Sequence, residues 1–264
     1  MAAATLVLFG SSMLGVVGYG GGEAVAGFIF EERFSDTDFG DGDPVTWTID
    51  RTLPGVVDAS FGNLVMTADD ARGATIAALG DVHEDSSVRV NVRVTGTNWS
   101  GGVIARATDR GADSGFGDGY FATVAHLPAF GGSVLAAGRL GNAVGENDLF
   151  NSTAGSPVFP LPFDVRDVET SIQMDVFGDE IKVWAWPTGE RMPDSPGFDV
   201  VDDNALAPGF VALTLNSAIQ GGSASGRAEF SYVGLSSQSI PEPSTAALGV
   251  IALMSLLVQR RSRF

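Results

Sequence analysis

Between residues 27 and 239 the apolar side chains recur with a period of two, in short runs broken by Gly, Asp, Asn and Pro. Alternation of this kind marks strands with one buried and one wet face, and runs so short predict a β-sandwich or barrel. The clearest is SVRVNVRVTG: Val88, Val90, Val92 and Val94 point one way, Arg89, Asn91 and Arg93 the other. Further strands are expected over 46–49, 64–67, 103–107, 120–126, 133–137, 210–215 and 228–235. The segment TSIQMDVFGDEIKVWAWP predicts a hairpin, because Gly178-Asp179 supplies the Gly-first loop of a type II′ turn. Its register follows from the turn. Val176 meets Ile181, Met174 meets Val183 and Ile172 meets Ala185 on the core side. Asp175 meets Lys182, Gln173 meets Trp184 and Ser171 meets Trp186 on the other, with the first pair joining opposite charges.

The two ends follow a different pattern. An apolar stretch over 4–17 precedes Ala24-Val25-Ala26, the small-x-small form of a signal-peptidase site, so residues 1–26 are expected to leave and Gly27 to begin the mature chain. No Lys or Arg precedes Arg33, so a basic start to that signal is missing. At the other end, Pro241 and Pro243 cannot continue a strand or enter a helix interior. An apolar run over 246–258 follows, a predicted C-terminal hydrophobic helix; with Ser244 and Thr245 it reaches 15 residues, short for a comfortable bilayer span. Arg260, Arg261 and Arg263 then mark a cytoplasmic side.

Composition adds a location and excludes several functions. Hydrophobic content of 44% permits a large core, and neither a repeat nor a compositional break divides 27–239, which is read as one domain. The absence of cysteine excludes a disulfide framework, a thiol nucleophile and a Cys-ligated metal. Net charge is −17, and losing both ends leaves 12 basic against 30 acidic residues, a net of −18. Such a field repels nucleic acid, so no nucleic-acid partner is expected.

The Pro241-Glu242-Pro243 triplet, the apolar run and the arginines together resemble the PEP-CTERM sorting signal of exopolysaccharide-producing Gram-negative bacteria. The resemblance covers residues 240–264. It implies an exosortase as processing partner, transient inner-membrane anchoring through the helix, and release to the cell surface or extracellular matrix. The body resembles concanavalin A-like or laminin G-like jelly rolls through EERFSDTDFGDGDPVTW, GYFATVAHL, the IQMDVFGDEIKVWAWPTGE hairpin and GFVALTL followed by AEFSYVGLS. That resemblance implies an all-β fold of two antiparallel sheets. Ser231 follows Phe230 where this family often carries Asp, a departure at its calcium site.

Candidate chemistry is sparse. No E-x-D-x-x-E run places two carboxylates on one strand face, as a retaining glycosidase of this fold needs, so the domain is expected to be non-enzymatic. His83, in a polar loop, and His126, after a strand, lie in no zinc or triad motif. GFGDGY lacks the basic residue and following helix of a nucleotide loop, and the sequons at Asn98 and Asn151 carry little weight in a bacterium. Asp36, Asp38, Asp41 and Asp43 form either a solvated acidic loop or a Ca²⁺ site, the only cofactor expected, and Gly40 and Asp41 exclude an EF-hand. Trp184 and Trp186, sharing a face with Lys182 and Gln173, are the candidate glycan-binding residues. The expected function is a non-enzymatic surface or matrix protein for glycan binding or matrix structure. The alternative is a secreted carbohydrate-active enzyme on the same fold.

Overall fold

The computed structural model describes residues 28–240, apart from 36–37, 39–43, 50–54, 61, 70–72, 109–117, 141–150 and 218–224. The strands in chain order are β1 (Phe28–Glu32), β2 (Trp47–Ile49), β3 (Val56–Ser60), β4 (Asn63–Asp69), β5 (Ala74–His83), β6 (Ser86–Thr95), β7 (Trp99–Ala107), β8 (Tyr120–Leu127), β9 (Gly132–Arg139), β10 (Val158–Pro160), β11 (Thr170–Phe177), β12 (Glu180–Pro187), β13 (Phe198–Val201), β14 (Gly209–Ser217) and β15 (Ser225–Ser236). They form two antiparallel sheets. The larger runs β13-β12-β11-β6-β15-β4-β3 with β1 also on β15, and the smaller runs β10-β9-β8-β7-β14-β5-β2. All but short edge strands therefore pair on both sides.

The alternation that predicted the strands also builds the core. Val88, Val90, Val92 and Val94 of β6 are fully buried and pack with Ile172, Met174 and Val176 of β11. From the smaller sheet, Val103, Tyr120, Val124, Leu135 and Leu213 enter the same cluster. Interdigitation of two such inner faces is what holds a sandwich together, at about 25 cal/mol per Å² of apolar surface removed from water.

The hairpin register is as derived from its turn: Val176 pairs with Ile181, Met174 with Val183, Asp175 with Lys182 and Gln173 with Trp184. Gly178 has φ 59°, the left-handed value that a type II′ turn requires at its first central residue. One detail differs. Lys182 Nζ lies 3.3 Å from Glu180 Oε2 rather than on Asp175, whose oxygens accept bonds from Ser87 and Ser239, each at 2.5 Å. Asp175 is 6% exposed, and its carboxylate is held by the Ser87 and Ser239 hydroxyls and the Gln173 amide.

Other departures have physical causes. β3, β5 and β10 escape a period-two reading because VVDAS, ATIAALGDVH and VFP lack clean polar alternation. His83 consequently ends β5, paired with Gly209, instead of lying in a loop, whereas His126 lies in β8, within the strand expected over 120–126. A bulge in β7, where Arg106 has φ 50°, shifts register against β14 and turns Ala107 to the outer face beside Ile104 and Ala212. The predicted C-terminal helix lies outside the described residues. Among the described residues no helix is long and apolar enough to cross a membrane.

Candidate functional site

The outer face of the larger sheet holds the residues expected to contact glycan. Gln173, Trp184 and Trp186 do share it, but Gln173 is fully buried and the indoles are 9% and 4% exposed. Arg89 lies 5.3 Å over the Trp186 ring, and its Nε and Nη2 donate to Gln173 Oε1 at 3.0 and 2.5 Å. Gln173 Nε2 in turn donates to Asp175 Oδ1 at 3.0 Å. The chain leaving β15 then crosses this network. Ser239 Oγ donates to Asp175, Ile240 N to Ser87 Oγ at 3.3 Å, and Arg89 Nη2 to Ile240 O at 3.2 Å. Ile240 itself is 3% exposed. In this arrangement the indoles are not available as stacking platforms, because alternation sets the face of a side chain and says nothing of what crosses it.

The opposite outer surface belongs to the smaller sheet, where Thr123 and Val158 are 5% exposed and Ala125 and Thr214 1%. A groove of about 400 Å³ lies there. Cross-strand registers build its floor: Thr214 of β14 pairs with Gly102 of β7, Gly102 with Thr123 of β8, Thr123 with Ala136 of β9, and Ala136 with Val158 of β10. With strands about 4.8 Å apart, that row of small side chains runs about 20 Å across the sheet. Phe121 and Leu140 border it on one side, Leu127 and Phe130 on the other, and Phe130 is 42% exposed. Polar groups converge at one end. Thr75 and Thr214 hydroxyls lie 3.0 Å apart, Asn216 Nδ2 donates to Thr214 Oγ1 at 2.6 Å, and Ser100 Oγ donates to Asn216 O at 3.3 Å. Sequence reasoning missed this groove because its residues look like ordinary outward-facing positions until five strands are placed side by side.

A second convergence was equally hidden. His126 Nδ1 lies 3.3 Å from Ser133 Oγ and 3.6 Å from Asp164 Oδ1. Both neighbours meet the same ring nitrogen, so this is no relay of the Ser-His-Asp kind, where acid and nucleophile occupy opposite nitrogens. Asp164 is instead clamped by Arg166, whose Nη2 donates at 2.5 Å, and hydrogen bonding to that guanidinium holds its carboxyl down at about 2. Tyr120 is a structural anchor: its hydroxyl donates to Asp202 Oδ2 at 2.7 Å and accepts from Leu206 N at 2.9 Å. Burial, foremost, pushes the Tyr120 hydroxyl above its usual range.

The remaining candidates are soon placed. Asp38 is exposed, while Asp36, Asp41 and Asp43 lie outside the described residues, as do Ala24, Ala26, Pro241, Glu242, Pro243, Arg260, Arg261 and Arg263. Among the described residues no three acidic or histidine side chains gather as a metal site. Ser231 Oγ donates to Glu169 at 2.6 Å. None of the described residues lining the groove is a carboxylate; residues 109–117 and 141–150 lie outside the described residues.

No protein-family model matches the sequence. No curated protein matches it either. Solved structures do match in fold. An endo-acting O-glycanase of the human gut microbiota, of the kind expressed to initiate mucin breakdown, is 11% identical with a TM-score of 0.53, covering 80% of this chain and 99% of its own. A galectin-like protein of unknown function from Bacillus subtilis is 8% identical with a TM-score of 0.52, covering 80% and 97%. A xylan β-1,4-xylosidase from Bacillus halodurans is 13% identical with a TM-score of 0.50, covering 78% of this chain and 38% of its own. The fold is thus a two-sheet jelly roll of the kind found among carbohydrate-related proteins. The O-glycanase match corrects the expectation of a non-enzymatic domain. In that neighbour the same fold carries an endo-acting O-glycanase, so a jelly roll without a linear acid motif is not thereby non-enzymatic.

Proposed function

We propose that the protein is a carbohydrate-active enzyme of glycoside-hydrolase-like type, which takes a polysaccharide into the groove on the outer face of the smaller sheet. The groove is the observation that carries this reading: a trough about five strands wide, floored by small side chains, bordered by Phe121 and Phe130 and furnished with hydroxyl and amide groups. An extended sugar chain needs that combination, an apolar shelf for ring faces and polar atoms for hydroxyls. The O-glycanase and xylosidase neighbours favour action on a glycan over binding of another ligand class.

Reducing-sugar release from a panel of purified polysaccharides tests the reading. Release is expected from at least one polymer, and Ala136→Trp, which fills the trough floor, is expected to abolish it while leaving the fold intact by circular dichroism. Hydrolysis by the paired-carboxylate route would further be lost on removing its acids. Neither release nor binding from any polymer would overturn the proposal.

The same reading includes delivery. We propose export, exosortase processing through Pro241-Glu242-Pro243 with transient inner-membrane anchoring, and release to the surface or matrix. The triplet, the apolar run over 246–258 and the terminal arginines support it. Mass spectrometry of the mature C-terminus in the native cell decides the matter: an intact Phe264 in the surface fraction would reject sorting.

A further inference from the structure

The described lining of the groove includes Phe121, Thr123, Leu127, Phe130, Thr214 and Asn216, and every one of its residues is uncharged. The chain around it carries a net charge of −17. A carboxylate or sulfate on a bound polymer would therefore lose water to an apolar trough with no cation among the described lining residues to receive it, and would meet a repulsive field on approach. A neutral chain meets neither cost. Its hydroxyls can exchange bonds with the half-buried Asn216 at the polar end of the groove, and its ring faces can lie on an aromatic surface.

That surface is built into the sheet. Phe121 of β8 pairs with Gly138 of β9. A Cβ at Gly138 would stand 2.8 Å from Phe121 Cε1 and 2.9 Å from Cζ, so the ring occupies the space that a side chain there would take. The glycine thus lets the ring lie against the backbone of β9 at the groove's edge instead of being pushed away from it. An aromatic group held in place loses little freedom when a sugar stacks on it.

Resting on the glycan-binding groove proposed above, we propose that the groove selects uncharged polysaccharides, with Phe121 on its Gly138 shelf as the stacking and specificity-determining residue, and discriminates against polymers bearing carboxylate or sulfate.

Affinity electrophoresis of the full chain on matched pairs tests this: glucan, xylan and mannan, each beside its carboxymethylated derivative, at low and at moderate salt. The neutral member of a pair is expected to bind at least tenfold more tightly at low salt. Added salt should narrow that gap without closing it, because screening removes the field but not the desolvation. Phe121→Leu, which keeps apolar volume but removes the ring, is expected to weaken neutral binding about tenfold, and Gly138→Ala about threefold, with thermal midpoints near that of the parent. If a carboxymethylated member binds as tightly as its neutral partner, the charge selectivity is wrong while the glycan-binding groove stands. If Phe121→Leu binds like the parent, the stacking assignment is wrong. If no member of any pair binds, the underlying glycan-binding reading fails with it.

Discussion

Arg106 shows how much a single buried residue can organise. It is 3% exposed, and its guanidinium donates to Glu84 O at 2.8 Å, Leu206 O at 2.8 Å and Gly178 O at 2.9 Å. It thereby ties the β5–β6 turn, the segment before β14 and the hairpin turn to one end of the sandwich. Arg106→Met would leave those carbonyls unpaired and is expected to cost roughly 3 kcal/mol in denaturant unfolding. Arg106→Lys should recover only a fraction, since one ammonium lacks the planar fork that reaches all three acceptors. Asp164 carries a pH-dependent contribution. Its folded value of about 2 lies below the ordinary carboxyl value of 3.8 because Arg166 hydrogen-bonds the ionised form. The depressed value means that the stabilisation is present above about 4 and is lost as pH falls toward about 2. Urea midpoints measured across that window should fall more steeply for the parent than for Asp164→Asn; identical slopes would remove Asp164 from the acid response.

Among the elements, the β11–β12 hairpin and the segment after β15 behave oppositely with respect to sequence. The hairpin was legible residue by residue, because a two-residue turn with Gly178 first leaves one register that buries Ile172, Met174 and Val176. The Gln238–Ile240 segment was not legible, although it decides what the outer face of the larger sheet can do. Its main chain is held by Ser87 and Arg89, and Ser239 is held by Asp175. A protease reaches such a segment through local opening, so bonds lost from the docked state should appear as faster cleavage. Limited proteolysis of Ser239→Ala/Arg89→Ala is expected to cut within 236–240 about tenfold faster than the parent. Equal rates would show that these bonds do not hold the segment.

At the scale of the whole molecule, acidity and topology set the conditions for both proposals. A net charge of −17 on one sandwich means self-repulsion, which salt screens over about 10 Å at 0.1 M. Raising sodium chloride at neutral pH is expected to lift the thermal midpoint by about 2–4 °C, whereas a flat response would mean that the charges are already dispersed enough not to oppose folding. The strand order places the β14-β7-β8-β9-β10 block side by side, and this block presents the trough while the larger sheet is crossed by its own chain.

The local pattern of apolar and polar residues determined the alternating strands, the hairpin register and the all-β class on its own, since each follows from spacing within about ten residues. Composition excluded cysteine chemistry by the same token. The places where prediction and structure part are those that depend on distant neighbours. Trp184 and Trp186 lie on the face foreseen for them, yet what crosses that face comes from Ser239 and Ile240, more than fifty positions away. Thr214, Thr123 and Ala136 line one floor only because three separate strands stand in register. Periodicity assigns a side chain to a face of its own strand. Whether that face is covered or open, and which residues from other strands stand beside it, is settled by non-local pairing and by the packing of the two sheets.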